Sequence, residues 1–446
     1  MTVAKPTCRW AGARLLVFTN PEAGRCFTED PMELLHKKCA GLDVHKDTVV
    51  ACARVASRTR TRRMVETFST TTEGLLALGD WLGEQEVTHA VMESTGVYWK
   101  PVWHVLEATV ELTLANANEV KNLPGRKSDI NDAQWLADLL AHGMLKRSFV
   151  PEREVEELRQ LTRTRKQLVR EKARHTQRID KILQDANIKM RSVLSKVLGA
   201  SGRAILKAMI EGESDPKKLA GLAKGRARSK RAKLEKALRG FINDHHRFLL
   251  RLELDLVETH EKSIKELEKR IDEVLRPFAE EEAKLLESVP GISSTAARVI
   301  LAEIGKDMSR FPDAGHLVSW AGLCPRSDES AGKRRSTKIR KGNPWLKPLL
   351  IQCAWAAIRS PSYLKSKYHR ICRRAGKMKA IVAVAHAMLV AIYHMLSNKQ
   401  AYRDLGADYF QKRDKKRLKE SLTRRLENLG FEVEVRPLAT AEPAPG

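Results

Sequence analysis

Asp43 in CAGLDVHKD, Glu93 in HAVMEST, and Asp129 with Asp132 in RKSDINDA are four carboxylates in three separated motifs, in a chain with 81 Lys+Arg against 55 Asp+Glu. A basic protein has little electrostatic reason to converge acids on one point unless a cation neutralises them. Two Mg²⁺ ions beside a phosphodiester would do so, because they clamp the attacking and leaving oxygens of a displacement. Taken singly, the acids also have ordinary readings. Asp43 could be a turn acid paired with His45 or Lys46, and Asp129 a first-turn acid favoured by the helix dipole.

A second candidate centre lies in the polar stretch from Gly322 to Trp345. It holds Ser327, Ser330 and Ser336 among Arg326, Lys333, Arg334, Arg335, Lys338, Arg340 and Lys341. A serine ringed by cations is suited to attack a phosphodiester, and a phosphoserine link would conserve the bond energy for rejoining. Composition alone favours a loop that only grips phosphate, with serines as donors.

The elements that must position these groups can be read from periodicity. KKCAGLDVHKDTVVACARV reads as a β-hairpin with HKD as the turn, which puts Asp43 on the first strand. METFSTTTEGL passes from strand to helix, with the Ser/Thr run as N-cap. THAVMES reads as a buried strand ending at Glu93, and VELTLAN as another strand. SDINDAQWLADLLAHGML reads as a helix with Ser128 as N-cap, and Asp129 and Asp132, three apart, share one of its faces. Strand-end acids opposed by an acidic helix turn are how a ribonuclease-H-like fold assembles a two-metal site.

From about Glu152 the pattern turns helical. Val155, Leu158, Leu168, Ile179 and Ile182 fall near heptad spacing, as do Val257, Ile264, Leu267, Ile271, Val274 and Phe278. Two such helices suggest an antiparallel or intermolecular coiled coil. The first is cationic on its surface, with Arg163, Arg165, Lys166, Arg170, Lys172 and Arg174 as candidate grips on nucleic-acid backbone. Between the two, GLAKGRARSKRAKLEKALRG reads as a basic loop or arm. LLESVPGISSTAARVILAEIG reads as helix, Pro-Gly turn, helix; VPGIS has the look of either a helix-hairpin-helix turn or a packing corner.

The expected organisation is an α/β domain over 35–150, a coiled-coil and helical linker with a basic insert over 151–284, and a mostly helical domain with the serine loop over 285–400. They are flanked by an N-terminal extension, 1–34, and by a charged helix and tail, 401–446. Met32 is a candidate alternative start. The formal net charge of +26 and pI of about 9.9 favour a polyanion through counterion release, with nucleic acid ahead of an anionic membrane surface. Seven scattered cysteines without a C-x-x-C pair point away from a zinc ribbon or disulfide framework and towards a reducing cytoplasm. The apolar run from Ala380 reads as a core helix, and no membrane partner is expected.

GLDVHKD, MESTGVYWKPV, NANEVKNLPGRKSDINDAQWLADLL, LESVPGIS and GLCPRSDESAGKRRSTKIRKGNPWL together resemble the DEDD transposases of the insertion sequence one-ten family, from about Cys39 to about residue 396. The resemblance implies a RuvC-type, ribonuclease-H-like N-terminal domain in which Asp43, Glu93, Asp129 and Asp132 hold Mg²⁺. It implies a C-terminal transposase domain in which Ser330 is the nucleophile. Ser330 is followed by Ala331 where many relatives carry Gly, which leaves Ser327 as the fallback. It also implies a homodimer or homotetramer with a composite site across subunits. The implied partners are double-stranded DNA and a structured bridge RNA that guides excision and insertion. Two other readings compete: a Holliday-junction nuclease that hydrolyses with water, and an inactive nucleic-acid-binding protein.

Overall fold

The computed structural model describes residues 34–57, 60–94, 96–117, 120, 132–325, 328–330, 333–336, 338–413 and 415–435. The N-terminal extension up to residue 33, Ser128, Asp129, Arg326, Ser327 and the final tail lie outside the described residues. The chain divides between Val150 and Pro151 into two compact units.

In the first unit, β1 (Lys38–Val44), β2 (Thr48–Ala56) and β3 (Thr61–Ser69) form an antiparallel meander, followed by β4 (His89–Glu93) and β5 (Glu111–Ala115). The sheet order is β3-β2-β1-β4-β5, with β4 parallel to both β1 and β5. The two parallel joins are bridged by α1 (Thr72–Glu84) and α2 (Trp99–Leu106). Alternation along the strands assigns the faces. Ala40, Leu42, Val44, Ala90 and Met92 pack with Leu75, Leu78, Leu82, Val102 and Leu106 under α1 and α2. Cys39 and Val91 point the other way and pack with Leu136 and Leu139 of α3 (Asp132–Ala141). This mixed, three-layer arrangement is compatible with a ribonuclease-H-like domain.

The anticipated hairpin, strands and helices are present, and the Thr71 hydroxyl caps α1 by accepting the Gly74 N–H at 3.3 Å. Helix α2 was not anticipated. WKPVWHVL carries aromatic and β-branched residues of modest helix propensity, and its proline sits in the first turn, where no intrahelical N–H is needed.

In the second unit, α4 (Arg153–Asp185) and α5 (Asp244–Glu287) lie side by side. Their cross-pairs run in opposite senses: Arg165 with Glu268, Lys172 with Glu261, His175 with Glu253, Asp185 with His246. The pair is therefore antiparallel and formed within one chain. Helix α5 kinks at Ala279, two residues past Pro277.

The basic stretch 221–240 is not the loop or arm its composition suggests but part of a helical segment over 186–243. That segment folds into short helices, including Ala200–Ile210, Pro216–Gly221 and Arg231–Ala237. Ile205, Leu206, Met209, Leu219, Ala223, Leu234 and Leu238 form a core with Leu250, Leu254 and Val257 of α5. A few leucines among many cations suffice, because lysine and arginine stems lie along the surface with their charges in water.

Helix α6 (Ser294–Ile304) follows a tight turn at Gly291 (φ +86°), where a β-carbon would lie 2.4 Å from the Cys353 carbonyl oxygen. The Pro-Gly turn is thus a packing corner against α8 (Leu346–Ala357). Helices α7 (Ala314–Trp320), α9 (Tyr363–Ala375) and α10 (Lys377–Asn398) follow, and the expected charged stretch forms the helices Tyr409–Arg413 and Lys415–Glu427. Helix α10 is long and apolar enough to cross a membrane, yet Ala380, Ile381, Val384, Ala385, Met388, Leu389 and Ile392 are buried inside the unit. Cys39, Cys52 and Cys353 are buried free thiols that pack as small apolar side chains.

Candidate functional site

The first unit gathers its acids by register. Strands β1 and β4 pair in parallel through Leu42 and Met92. One residue further on, Asp43 and Glu93 stand at the carboxyl ends of adjacent strands, on the face that α3 covers. In open α/β sheets this crevice beyond the strand ends is where ligands bind.

Gly41 sets the distance of the covering helix. A β-carbon there would lie 2.0 Å from the Ala133 carbonyl oxygen and 2.6 Å from the Ala137 nitrogen. Only a glycine lets α3 lie this close, and Asp132, exposed at its first turn, is carried with it. The opposite side of α3 is held by Asp138, whose carboxylate receives Arg54 Nε at 2.8 Å and Arg63 Nη2 at 3.0 Å. His45 Nε2 stands 3.1 Å from Asp43 Oδ2, the pairing foreseen as the ordinary alternative for that acid. Asp129 lies outside the described residues. Among the described residues no three His, Cys, Asp or Glu side chains form a metal-holding group.

The serine stretch in the second unit is not a plain loop. β6 (Asp328–Ser330) and β7 (Lys333–Ser336) pair antiparallel, with Ser330 opposite Lys333. A Pro325–Ile339 bridge continues the ladder towards the base. There Gly322 (φ +73°) and Gly342 (φ +56°) pack face to face, and a β-carbon on Gly342 would sit 2.4 Å from the Ala321 carbonyl oxygen. Lys347 Nζ donates to the Arg340 and Lys341 carbonyls, 2.7 Å to each, and clamps the descending arm. Lys333, Lys338, Arg340 and Lys341 are exposed. Polar alternation with no apolar face hides such a hairpin from periodicity arguments.

Below the hairpin lies a hub that sequence reasoning missed. Glu303 of α6 is fully buried (0% exposed). It accepts Arg163 Nε and Nη2, both at 2.8 Å, and Asn343 Nδ2 at 2.7 Å. The Asn343 side-chain oxygen in turn accepts the Trp345 and Leu346 N–H groups at the start of α8. Arg159 donates to the Ala302 and Glu303 carbonyls. A buried carboxylate is tolerable only when paired and hydrogen-bonded, and here the pairing ties α4, α6 and the foot of the hairpin together. Of the cations read as nucleic-acid grips on α4, Arg163 is therefore engaged internally, and Arg165 likewise donates to Glu268, at 2.9 Å from Nε.

Two family models match the chain. One described as "Transposase", the DEDD type of IS110, covers residues 40–188, and one described as "Transposase IS116/IS110/IS902 family" covers residues 283–369. Together they span more than half of the chain and include both candidate centres. The chain belongs to the IS110 family of transposases.

Among individual relatives, the y4qE protein of Sinorhizobium fredii is 31% identical over 114 residues, 25% of this chain and 29% of that one. The uncharacterized protein of insertion element IS110 from Streptomyces coelicolor is 30% identical over 150 residues, 33% of this chain and 36% of that one. The uncharacterized protein of insertion element IS116 from Streptomyces clavuligerus is 28% identical over 149 residues, 32% and 35% of the two chains. The matches thus span about a third of the length of these relatives.

Proposed function

We propose that this chain is a DNA recombinase that cuts and rejoins strands to excise and insert a mobile element. The observation that carries the reading is the placement of Asp43 and Glu93 at adjacent parallel strand ends, under a helix whose first turn bears Asp132. Carboxylate oxygens are the donors that a hard cation such as Mg²⁺ prefers, so the donor set fits that ion. Asp43, Glu93, Asp129 and Asp132 would hold it, and bound there it would neutralise charge at the reacting phosphate.

Ser330 is the proposed nucleophile. Its Oγ forms a bond to phosphorus as the bond from phosphorus to a deoxyribose oxygen breaks. The serine proton is lost, and the departing sugar oxygen takes one up. A second strand's hydroxyl then reverses the step, releases the serine and completes the exchange. Lys333 and the exposed Lys338, Arg340 and Lys341 stabilise charge on the phosphoryl oxygens and grip the backbone; Arg326, Arg334 and Arg335 are proposed for the same role. A bridge RNA as guide, a homodimer or homotetramer, a RuvC-type first domain and residence in the bacterial cytoplasm complete the proposal, on the family resemblance.

The deciding experiment is a strand-transfer assay with denaturing detection of covalent protein–DNA adducts. Wild type gives an adduct, Ser330→Ala gives none, and Asp43→Asn gives neither adduct nor joined product. An adduct from Ser330→Ala moves the role to another serine, Ser327 first. Cut but unjoined products without any adduct would replace strand exchange by hydrolysis.

A further inference from the structure

The cations of α4 have unequal partners. Arg163 is committed to Glu303 and Arg165 to Glu268. Lys166 and Arg170 make no ion pair among the described residues, and the Glu303 charge acts on Lys166 only from a distance. Positions 163, 166 and 170 are three and four apart and so form one stripe of the helix. Their cationic groups stand 5.3, 5.2 and 5.8 Å from the centroid of the Trp345 indole.

Two like charges, neither in an ion pair among the described residues, are thus held side by side against a half-buried ring. Burial and the Arg170 charge hold the Lys166 ammonium below the usual lysine value. An anion seated between the two relieves that repulsion. Trp345 lies three residues past Gly342, which closes the base of the serine hairpin. The ring therefore stands beside the foot of the element that carries Ser330.

We infer that Lys166, Arg170 and Trp345 form a subsite for one unpaired nucleotide of the DNA strand being cut, its phosphate between the two cations and its base against the exposed part of the indole. The inference rests on the strand-cutting reading above. A duplex keeps the faces of its bases stacked on each other, so an indole can receive a base only after it has left the stack. Every base has such a face, so the subsite is tolerant of sequence. Cations flanking the ring suit it to this use, since they hold the aromatic in place while leaving their charge for phosphate.

The test is fluorescence-anisotropy binding of a labelled single-stranded DNA oligonucleotide to the full chain at several salt concentrations. Trp345→Ala weakens binding roughly tenfold, and Trp345→Phe retains most of the affinity. Lys166→Gln with Arg170→Gln lowers the slope of log affinity against log salt by about one. Arg165→Gln, on the same helix but paired internally, leaves both quantities unchanged. Wild-type affinity and slope in Trp345→Ala and in the Lys166/Arg170 double variant, each folded by its melting curve, overturn the subsite. Tighter binding of an RNA of the same sequence, with the larger loss in Trp345→Ala, overturns the assignment to DNA. If wild type forms no Ser330 adduct while Trp345→Ala still loses DNA affinity, the strand-cutting reading falls and the binding site stands.

Discussion

Gly41 and Ala133 meet so closely that a β-carbon on Gly41 would lie 2.0 Å from the Ala133 carbonyl oxygen. The contact joins the strand bearing Asp43 to the helix bearing Asp132. Gly41→Val forces α3 off the sheet. We expect a loss of stability on the order of 1–3 kcal/mol, the usual range for overpacking. Strand cleavage should fall further than that loss explains, since Asp132 moves while every acid remains. Thermal melting alongside cleavage at a temperature where the variant is folded separates the two effects.

Asp138 answers two arginines. Removing it as Asp138→Ala leaves Arg54, only 5% exposed, as an uncompensated buried cation. The expected cost is about 3–5 kcal/mol. Arg54→Met should cost less, because Arg54 Nη1 has no hydrogen-bond partner among the described residues and an apolar side chain needs none. Urea unfolding of the two variants checks the order; a costlier Arg54→Met would contradict it.

Glu303→Gln keeps the shape of the hub and removes its charge. Arg159 and Arg163 then face each other without their counter-charge, and we expect a loss of roughly 3 kcal/mol. Because Asn343 links Glu303 to the foot of the hairpin, adduct formation at Ser330 should slow at temperatures where the variant remains folded. Quench-flow measurement of the adduct provides the check.

Burial pushes the thiols of Cys39, Cys52 and Cys353 from near 9 up to about 11. In the unfolded chain they ionise near their ordinary value, so between about pH 9 and 11 the unfolded state holds fewer protons than the folded one. Stability is then fully present below pH 9 and declines towards pH 11. Lysines and tyrosines titrate in the same window, so the comparison is with Cys52→Ala and Cys353→Ala, whose urea midpoints should fall less steeply across it.

Much of the first unit could be read from its residues. Short apolar runs marked β1 and β4, and with them the strand ends where Asp43 and Glu93 stand. The short polar HKD turn fixed the hairpin. Helix α2 escaped because its stability comes from packing Val102 and Leu106 under the sheet, which local propensity does not report. The serine hairpin escaped because it has no apolar face. The Glu303 hub escaped for a different reason: Arg163 and Glu303 are 140 positions apart, and no local pattern foretells their meeting. The cationic surface of α4 was legible as composition, but which of its charges are neutralised at home was not.

Asp185 and His246, 2.9 Å apart, mark where the chain leaves and re-enters the paired long helices. The segment between them packs its apolar residues onto Ile179 and Leu183 of α4 and onto Leu250, Leu254 and Val257 of α5. It falls almost wholly between the two family-matched regions, which end at 188 and resume at 283. A substitute for the segment has to cover those apolar faces of α4 and α5. The distance between its two ends is the other constraint a substitute has to meet.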